Sequence, residues 1–178
     1  EAHSLVDLDL GKFNQQDYLH ATQQKTLAED ISRVLYPNDS TDEGKKLRLK
    51  QQYFFVSASL QDIVKRYKKV HGNDKFAEFT AIQLNDTHPV IAIPELMRIF
   101  IDIEGISWEK AWSIVEKTFA YTNHTILAEA LEKWWVGLYE QVVPRVYQIT
   151  QGIDNQLREL LEQKFPGDKA RQDRMRII

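Results

Sequence analysis

Two short apolar segments, each followed at once by polar residues, most constrain the fold of this chain. Residues 79–84 lead into Asn-Asp-Thr-His at 85–88, and residues 119–122 lead into Asn-His-Thr at 123–125. Aromatic and β-branched residues make both segments typical of strands. About 35 residues with two helical patterns separate them, a length that joins parallel neighbours in one sheet. The sequence therefore predicts a helix-rich α/β fold with a strand–helix–helix–strand core over residues 79–125.

The polar residues that follow the two strands are candidates for a binding site. Parallel strands end at the same edge of a sheet, and open α/β sheets bind ligands at that edge. Asp86 and His88 follow the first strand and His124 follows the second. These groups favour hydrogen bonding to a polyhydroxylated or phosphorylated ligand over a nucleophilic triad. A turn whose Asp and Thr side chains satisfy their own backbone is an alternative that stays open.

Composition narrows the possible chemistry and partners. The sequence contains no cysteine, which excludes disulfides, thiolate metal sites and cysteine nucleophiles. A zinc site made by the two histidines and Asp86 is disfavoured, because no local spacing such as HxxxH supports it. The net charge of −3 gives no electrostatic reason to expect nucleic acid or an anionic membrane as the main partner. No apolar stretch approaches the roughly 18 residues of a membrane span. The absence of cysteine leaves the compartment open, although a reducing cytoplasm fits, and a first residue other than methionine leads us to expect an excised piece of a longer protein.

The first 35 residues combine an extended pattern with a long helical one. Residues 5–10 nearly alternate apolar and acidic side chains and predict a short edge strand or arm. A helix is predicted over 15–35, and its second half carries a core-facing stripe. Its first half is polar on most faces, which is typical of a helix that projects into solvent or packs on another chain. Both interpretations stay open. The stripe consists of Leu27, Ile31 and Val34.

A second long helix is predicted from a capping signal to about Val70. Ser40 and Glu43 match a capping box, in which the serine hydroxyl caps the helix and the glutamate side chain reaches back. Basic residues crowd both ends of this helix, and a solvated surface is favoured over an anion site. Its apolar stripe consists of Leu49, Tyr53, Val56, Leu60, Ile63 and Tyr67.

The other helical patterns follow the first strand. We expect Ser107 to cap the second helix of the crossover. Pro144 is expected to act as an early stop or as a proline in a first helical turn. The predicted helices lie at 94–103, 108–118, 129–136, 138–163 and 169–178, so that residues 129–178 are helical.

Six longer strings resemble one known family, the α-glucan phosphorylases, which comprise the glycogen, starch and maltodextrin phosphorylases. The resemblance runs in order over essentially the whole chain. It implies that residues 1–178 are a single segment of the N-terminal Rossmann-like domain in a two-domain GT-B-type glycosyltransferase. The strings are RVLYPND at 33–39, GKKLRLKQ at 44–51, AIQLNDTHP at 81–89, AIPELMR at 92–98, AYTNHT at 120–125 and EALEKW at 129–134.

The resemblance also implies a reaction, the reversible phosphorolysis of an α-1,4-glucan to glucose 1-phosphate. Pyridoxal phosphate is bound to a lysine in the C-terminal domain of the family, and its phosphate acts with inorganic phosphate as the proton relay. The Gly-rich segment that carries this lysine is missing here, so the 178 residues alone are expected to be inactive. No residue of this segment would be the general acid.

Sugar binding is the role that the resemblance implies for residues of this segment. His124 would contact the glucosyl unit next to phosphate, while Asp86 and His88 would line the channel beside the anomeric carbon. The remaining implied substrate-binding residues are Glu129 in the same cleft, Tyr36 and Arg48 beside the acceptor glucan, and Asn38 and Asp39 in a mobile loop that gates access.

Some positions depart from the family pattern, and one helix bears on how family members assemble. Ser40 replaces an asparagine that contacts the glucosyl unit in many members, Ala128 replaces a usual proline, and Trp135 stands where proline or aspartate is common. Lys65 lies, with the arginine after it, where vertebrate members bind a regulatory nucleotide phosphate, but this pair alone does not lead us to predict such regulation. The helix at 15–35 resembles the tower helix of family homodimers, so we expect a homodimer. A non-catalytic glucan-binding or oligomerisation module is the alternative.

Overall fold

The computed structural model describes residues 1–71, 75–127 and 131–178. Within them the chain divides into two compact units, Glu1–Phe55 and Val56–Ile178, and α4 contributes residues to both. None of the described helices combines the length and apolar character needed to cross a lipid bilayer. The elements are α1 (Leu10–Asn14), α2 (Tyr18–Ala21), α3 (Gln23–Arg33), α4 (Asp42–Lys68), α5 (Phe76–Phe79), β1 (Ile82–Asn85), α6 (Ala92–Arg98), a π-helical turn (Ile99–Ile103), α7 (Trp108–Thr118), β2 (Phe119–Thr122), α8 (Val136–Val142), α9 (Pro144–Lys164) and α10 (Lys169–Met175).

The second unit contains the predicted parallel strand pair. β1 and β2 pair in parallel, with Ile82 opposite Phe119 and Asn85 opposite Thr122. The parallel arrangement and the position of β2 confirm the prediction. β1 begins later than expected, because residues 76–79 form α5 instead of extended chain. Phe76 is buried there and packs edge-on against the rings of Tyr67 (centroids 4.9 Å apart) and Phe100 (5.3 Å).

The crossover between the strands forms most of the core of this unit. α7 has the predicted bounds, and the Ser107 hydroxyl oxygen accepts the backbone N–H of Lys110 at its N-terminus, as predicted. The first crossover helix starts slightly earlier than expected, and its last part, residues 99–103, is π-helical rather than α-helical. The largest core cluster consists of Leu60, Val64, Tyr67, Phe76, Leu84, Ala92, Leu96, Met97, Ile99, Phe100, Ala111, Ile114, Val115, Ile149 and Ile153.

The C-terminal helices are shorter and more divided than predicted. Residues 131–135 are not helical, which corrects the helix predicted at 129–136, and residues 128–130 lie outside the described part of the chain. The single helix expected at 138–163 is two helices that meet at Val143, because the residue before a proline is pushed out of the α conformation. Pro144 is therefore a first-turn proline of α9.

The first unit departs most from the sequence-based prediction. The segment 5–10 is not a strand; Asp9 instead caps α1 by accepting the backbone N–H of Lys12 at 3.2 Å. The prediction of a single helix over 15–35 is also wrong. Gln16 has a positive φ of 66°, which is not helical, and Thr22 separates α2 from α3. Asp17 caps α2, its carboxylate lying 2.7 Å from the Nδ1 of His20. Short polar side chains that bond nearby backbone groups begin new helices here.

The cap of the long helix α4 lies one residue later than predicted. Thr41, rather than Ser40, caps the helix, since its hydroxyl oxygen accepts the backbone N–H of Gly44 at 3.1 Å. The backbone N–H of Ser40 instead donates to the side-chain oxygen of Asn38 at 2.9 Å. α4 ends at Lys68, close to the predicted end. The predicted capping box is therefore corrected to a simple threonine cap.

Candidate functional site

The carboxyl ends of β1 and β2 bring the two polar segments together. Asn85 is the last residue of β1 and lies opposite Thr122, the last residue of β2. The backbone N–H of Asp86 donates to the carbonyl oxygen of Thr122 at 2.9 Å, so the ladder continues one step beyond the strands. Both polar segments consequently leave the sheet from the same edge, which confirms the predicted arrangement.

A hydrogen bond joins the two segments at this edge. The Nε2 of His124 bonds the side-chain oxygen of Asn85 across the strand pair. An amide oxygen only accepts, so the Nε2–H of His124 is the donor in this hydrogen bond. The His124 side chain is exposed, and its orientation is set from the neighbouring strand. A histidine held in this way can present a nitrogen to a ligand hydroxyl.

Asp86, one of the candidate site residues, also forms part of a turn. It has a φ of 77°, a left-handed conformation that aspartate tolerates better than most residues. One carboxylate oxygen accepts the backbone N–H of the next residue, Thr87, at 2.8 Å. The next turn closes when the N–H of Val90 donates to the carbonyl of Thr87 at 3.0 Å. His88 lies within this turn and is exposed.

The segment after β2 is shaped by Asn123. Its Nδ2 donates to the carbonyl of Thr125 at 2.6 Å, and its side-chain oxygen accepts the N–H of Thr125 at 3.4 Å. The Asn123 side chain therefore stabilises the loop in which it lies. His124, the next residue, bonds across to Asn85 on β1. Glu129, the next site residue expected along the chain, lies outside the described residues.

The first unit holds the other four site residues predicted from the sequence. Tyr36, Asn38 and Asp39 lie in the connection between α3 and α4, and Arg48 lies on the second turn of α4. The guanidinium carbon of Arg48 is 5.1 Å from the centre of the Tyr36 ring, a cation–π contact. Tyr36 is 71% exposed, so the ring face that Arg48 does not cover is accessible.

Two polar residues that contact these site residues were not predicted. Asn85 was part of the polar string but was not singled out, because its contact with His124 depends on the register between the strands. Gln51 gave no signal, since glutamine is common in helices and is usually exposed. Within the described residues, no group of three or more His, Cys, Asp or Glu side chains could hold a metal ion.

Comparison with known proteins agrees with the resemblance of the sequence strings. The model of a family described as carbohydrate phosphorylase matches residues 1–178. Glycogen phosphorylase 2 of Dictyostelium discoideum is 52% identical over 173 residues, which is 97% of this chain and 17% of that protein. The liver form of glycogen phosphorylase from Homo sapiens is 52% identical, and the brain form from Mus musculus is 49% identical, each over 181 residues, with 97% of this chain covered in both.

The chain spans about a fifth of the length of these relatives, namely 17%, 21% and 22%. The family match nevertheless covers every residue of the chain, including both polar segments at the sheet edge and the connection before α4. The chain belongs to the carbohydrate phosphorylase family.

Proposed function

We propose that this chain is a segment of the N-terminal Rossmann-like domain of a glucan phosphorylase with two domains of GT-B type. The whole protein would cleave α-1,4-glucan with inorganic phosphate and release glucose 1-phosphate. The family match over residues 1–178 and the names of the glycogen phosphorylase relatives support this proposal. The parallel strand pair with its helical crossover is compatible with such a domain. We further propose a cytoplasmic location, on the basis of the family resemblance.

The hydrogen bond between His124 and Asn85 is the observation that carries the proposed sugar site. It fixes an exposed imidazole at the carboxyl edge of the strand pair, beside Asp86. A fixed donor or acceptor can stabilise charge that develops in a transition state without reorganising. We assign His124 to the glucosyl unit, Asp86 and His88 to the channel beside the anomeric carbon, and Glu129 to the same cleft.

We assign the acceptor sugars of the glucan to the pair formed by Tyr36 and Arg48. Aromatic rings present an apolar face that suits the apolar face of glucose. Arg48 lies over one face of the Tyr36 ring, and the high exposure of the ring leaves the other face for a sugar. Asn38 and Asp39 follow in the same connection and would form the loop that gates access.

The residues at the sheet edge do not fit the site of the family's cofactor. Pyridoxal phosphate supplies a phosphate that takes part in proton transfer when it is bound, and a lysine amine holds its aldehyde. Residues 82–88 and 119–127 contain no lysine. We propose that this edge offers hydrogen-bonding groups for sugar and, from the family resemblance, that the cofactor lysine lies in the C-terminal domain outside this segment.

The test of the proposed site is His124→Ala in the full-length protein. We expect kcat/KM for phosphorolysis to fall by about 100-fold or more, a typical loss for one preorganised transition-state contact. His3→Ala is the matched control, because His3 is exposed and its Nε2 lies 3.6 Å from the Glu1 carboxylate, which is also exposed. Unchanged kcat/KM in His124→Ala would remove this residue from the site. A wild-type protein that binds glucan without phosphorolysis would instead support a non-catalytic glucan-binding module.

A further inference from the structure

Gln51 is a buried polar residue that the proposed sugar site does not use. It lies on α4 and is 1% exposed, although glutamine is seldom fully buried. Its Nε2 donates to the carbonyl oxygens of Val34 at 2.6 Å and Ile31 at 3.1 Å. These carbonyls lie at the C-terminal end of α3, where a helix has no backbone partners for its last carbonyl groups. Gln51 therefore caps α3 from the neighbouring helix.

The oxygen of the same amide holds Arg48. The Nη1 of Arg48 donates to the Oε1 of Gln51 at 3.0 Å. Both donors and the acceptor of this amide are therefore engaged with defined partners. Because a guanidinium is planar and rigid, a hydrogen bond at one nitrogen restricts the orientation of the whole group. The same guanidinium lies over the Tyr36 ring.

The connection that carries Tyr36 is also held at its other end. A Cβ on Gly44 would lie 2.2 Å from the carbonyl oxygen of Asn38 and 3.0 Å from the Cα of Asp39. The backbone of this connection consequently rests on the first turn of α4, at a position that only glycine leaves open. In this conformation the backbone at Asn38 lies against Gly44, while the Gln51 amide bonds both the Val34 carbonyl and the Arg48 guanidinium.

We propose that Gln51 is a positioning residue for the acceptor side of the glucan site. It directs the Arg48 guanidinium, which in turn sets the Tyr36 ring, and it ties both to the C-terminal end of α3. This inference rests on the proposed function, in which Tyr36 and Arg48 contact the glucan. Its consequence is specific: loss of the Gln51 amide weakens the use of glucan but leaves the use of phosphate unchanged.

Gln51→Met in the full-length enzyme tests this inference, because methionine keeps the length of the side chain and removes all three hydrogen bonds. We expect KM for glucan to rise about tenfold, while KM for phosphate stays within about twofold. Gln151→Met is the matched control, since Gln151 is exposed on α9. Equal glucan KM values for wild type and Gln51→Met would overturn the inference.

Two further substitutions separate positioning from structural support. Gln51→Asn shortens the side chain so that it cannot reach Arg48 and Val34 together, and it carries the same expectation if the methionine variant does not fold. Gln51→Glu keeps an acceptor for Arg48 but turns a carboxylate oxygen toward the α3 carbonyls. We expect this variant to melt at a lower temperature and to keep its glucan KM within about threefold. An increase in glucan KM as large as that of Gln51→Met would contradict the positioning role.

A double-mutant comparison distinguishes failure of this inference from failure of the proposed function. If Gln51 acts through Arg48, Gln51→Met adds nothing to the glucan KM of Arg48→Ala, whereas independent effects multiply. Raised KM in Tyr36→Ala with no effect of any Gln51 variant would reject the positioning role and keep the acceptor site. Unchanged glucan KM in both Tyr36→Ala and Arg48→Ala would reject the acceptor site and, with it, this inference.

Discussion

At the scale of single residues, Glu95 shows how a carboxylate is accommodated inside the second unit. Glu95 is completely buried on α6. Its Oε1 accepts the hydroxyl of Ser57 at 2.6 Å and the Nη2 of Arg98 at 2.9 Å, and its Oε2 accepts the Nε of Arg98 at 2.7 Å. Both oxygens are thus hydrogen-bonded, which offsets the cost of burial. The network connects α4 with α6, the helix that follows the turn of Asp86 and His88.

Glu95→Ala is expected to lower the free energy of unfolding by about 3–5 kcal/mol, the usual cost of removing one partner from a buried ion pair. Ser57→Ala removes one hydrogen bond and should cost about 1–2 kcal/mol. Denaturant unfolding followed by circular dichroism measures both values. Glu116→Ala, on the exposed side of α7, is the control and should change the value by less than about 0.5 kcal/mol. A cost below 1 kcal/mol for Glu95→Ala would show that this network contributes little.

The sequence predicted individual site residues unevenly. Asp86 and His124 could be placed at one edge because each directly follows a strand, and strand direction alone decides the edge. The partner of His124 could not be predicted, since nothing in the sequence distinguishes Asn85 from other polar residues such as Ser40. Only the register between β1 and β2 brings Asn85 to the imidazole. The role of Gln51 is similarly decided by packing between α3 and α4.

At the scale of secondary-structure elements, Asp154 on α9 binds the last residues of the chain, which follow α10. This carboxylate is 2% exposed and its Oδ1 accepts the backbone N–H groups of Ile177 at 2.7 Å and Ile178 at 3.2 Å. Its Oδ2 accepts the Nε of Arg158 at 2.5 Å. These bonds end α10 at Met175, three residues before the predicted end, because the last residues are extended against α9.

Asp154→Asn is expected to lower the free energy of unfolding by about 1–3 kcal/mol at pH 7. Burial raises the pKa of Asp154, but hydrogen bonds from Ile177, Arg158 and Ile178 outweigh this and hold it below its usual value. With a folded pKa below the unfolded one, the stabilisation is present above about pH 4 and is lost as the pH falls through the folded pKa. The difference between wild type and Asp154→Asn should therefore shrink in acid.

Unfolding measured at several values between pH 7 and pH 2 checks this expectation. Asp173→Asn is the control, because Asp173 is exposed on α10. Its Oδ1 lies 3.7 Å from the Nη1 of Arg176, and this ion pair is exposed to solvent. A difference between wild type and Asp154→Asn that stays constant over this range would contradict the assigned cause. Such a result would mean that the carboxylate does not change its protonation there.

Elements with strong internal signals were predicted well from the sequence, and elements with weak ones were not. α7 has a serine cap and an amphipathic pattern, and α4 has a long apolar stripe, so both were confirmed. The helix predicted over 15–35 failed, because Asp17 starts a new helix within it. In physical terms, a local hydrogen bond between a side chain and the backbone competes with helix continuation.

At the scale of the whole molecule, exposed apolar residues of the first unit are consistent with the proposed homodimer. Leu19 on α2 is 80% exposed, and Tyr18 and Leu27 are also exposed. Apolar side chains that are exposed on a surface can take part in a contact with another chain. We therefore keep the dimer contact through residues 15–35 as a proposal for the full-length protein.

The expected result for the full-length protein is a dimer at micromolar concentration, measured by sedimentation velocity. Leu19→Asp should shift it toward monomer, because a carboxylate in an apolar contact loses its hydration. Leu160→Asp, on the exposed face of α9, is the matched control and should leave the dimer intact. A wild-type monomer would contradict the proposal. A Leu19→Asp dimer with a lower melting temperature would place this leucine against another part of the same chain.

The sequence by itself determined the family, the parallel strand pair and the edge at which its polar residues lie. These features depend on long local strings, strand direction and the length of the crossover, all of which can be read along the chain. The tertiary structure decided where helices break, which amide orients His124, and how Gln51 and Gly44 hold the connection before α4. Those contacts join residues distant in sequence, and their free energy depends on register and burial rather than on local pattern.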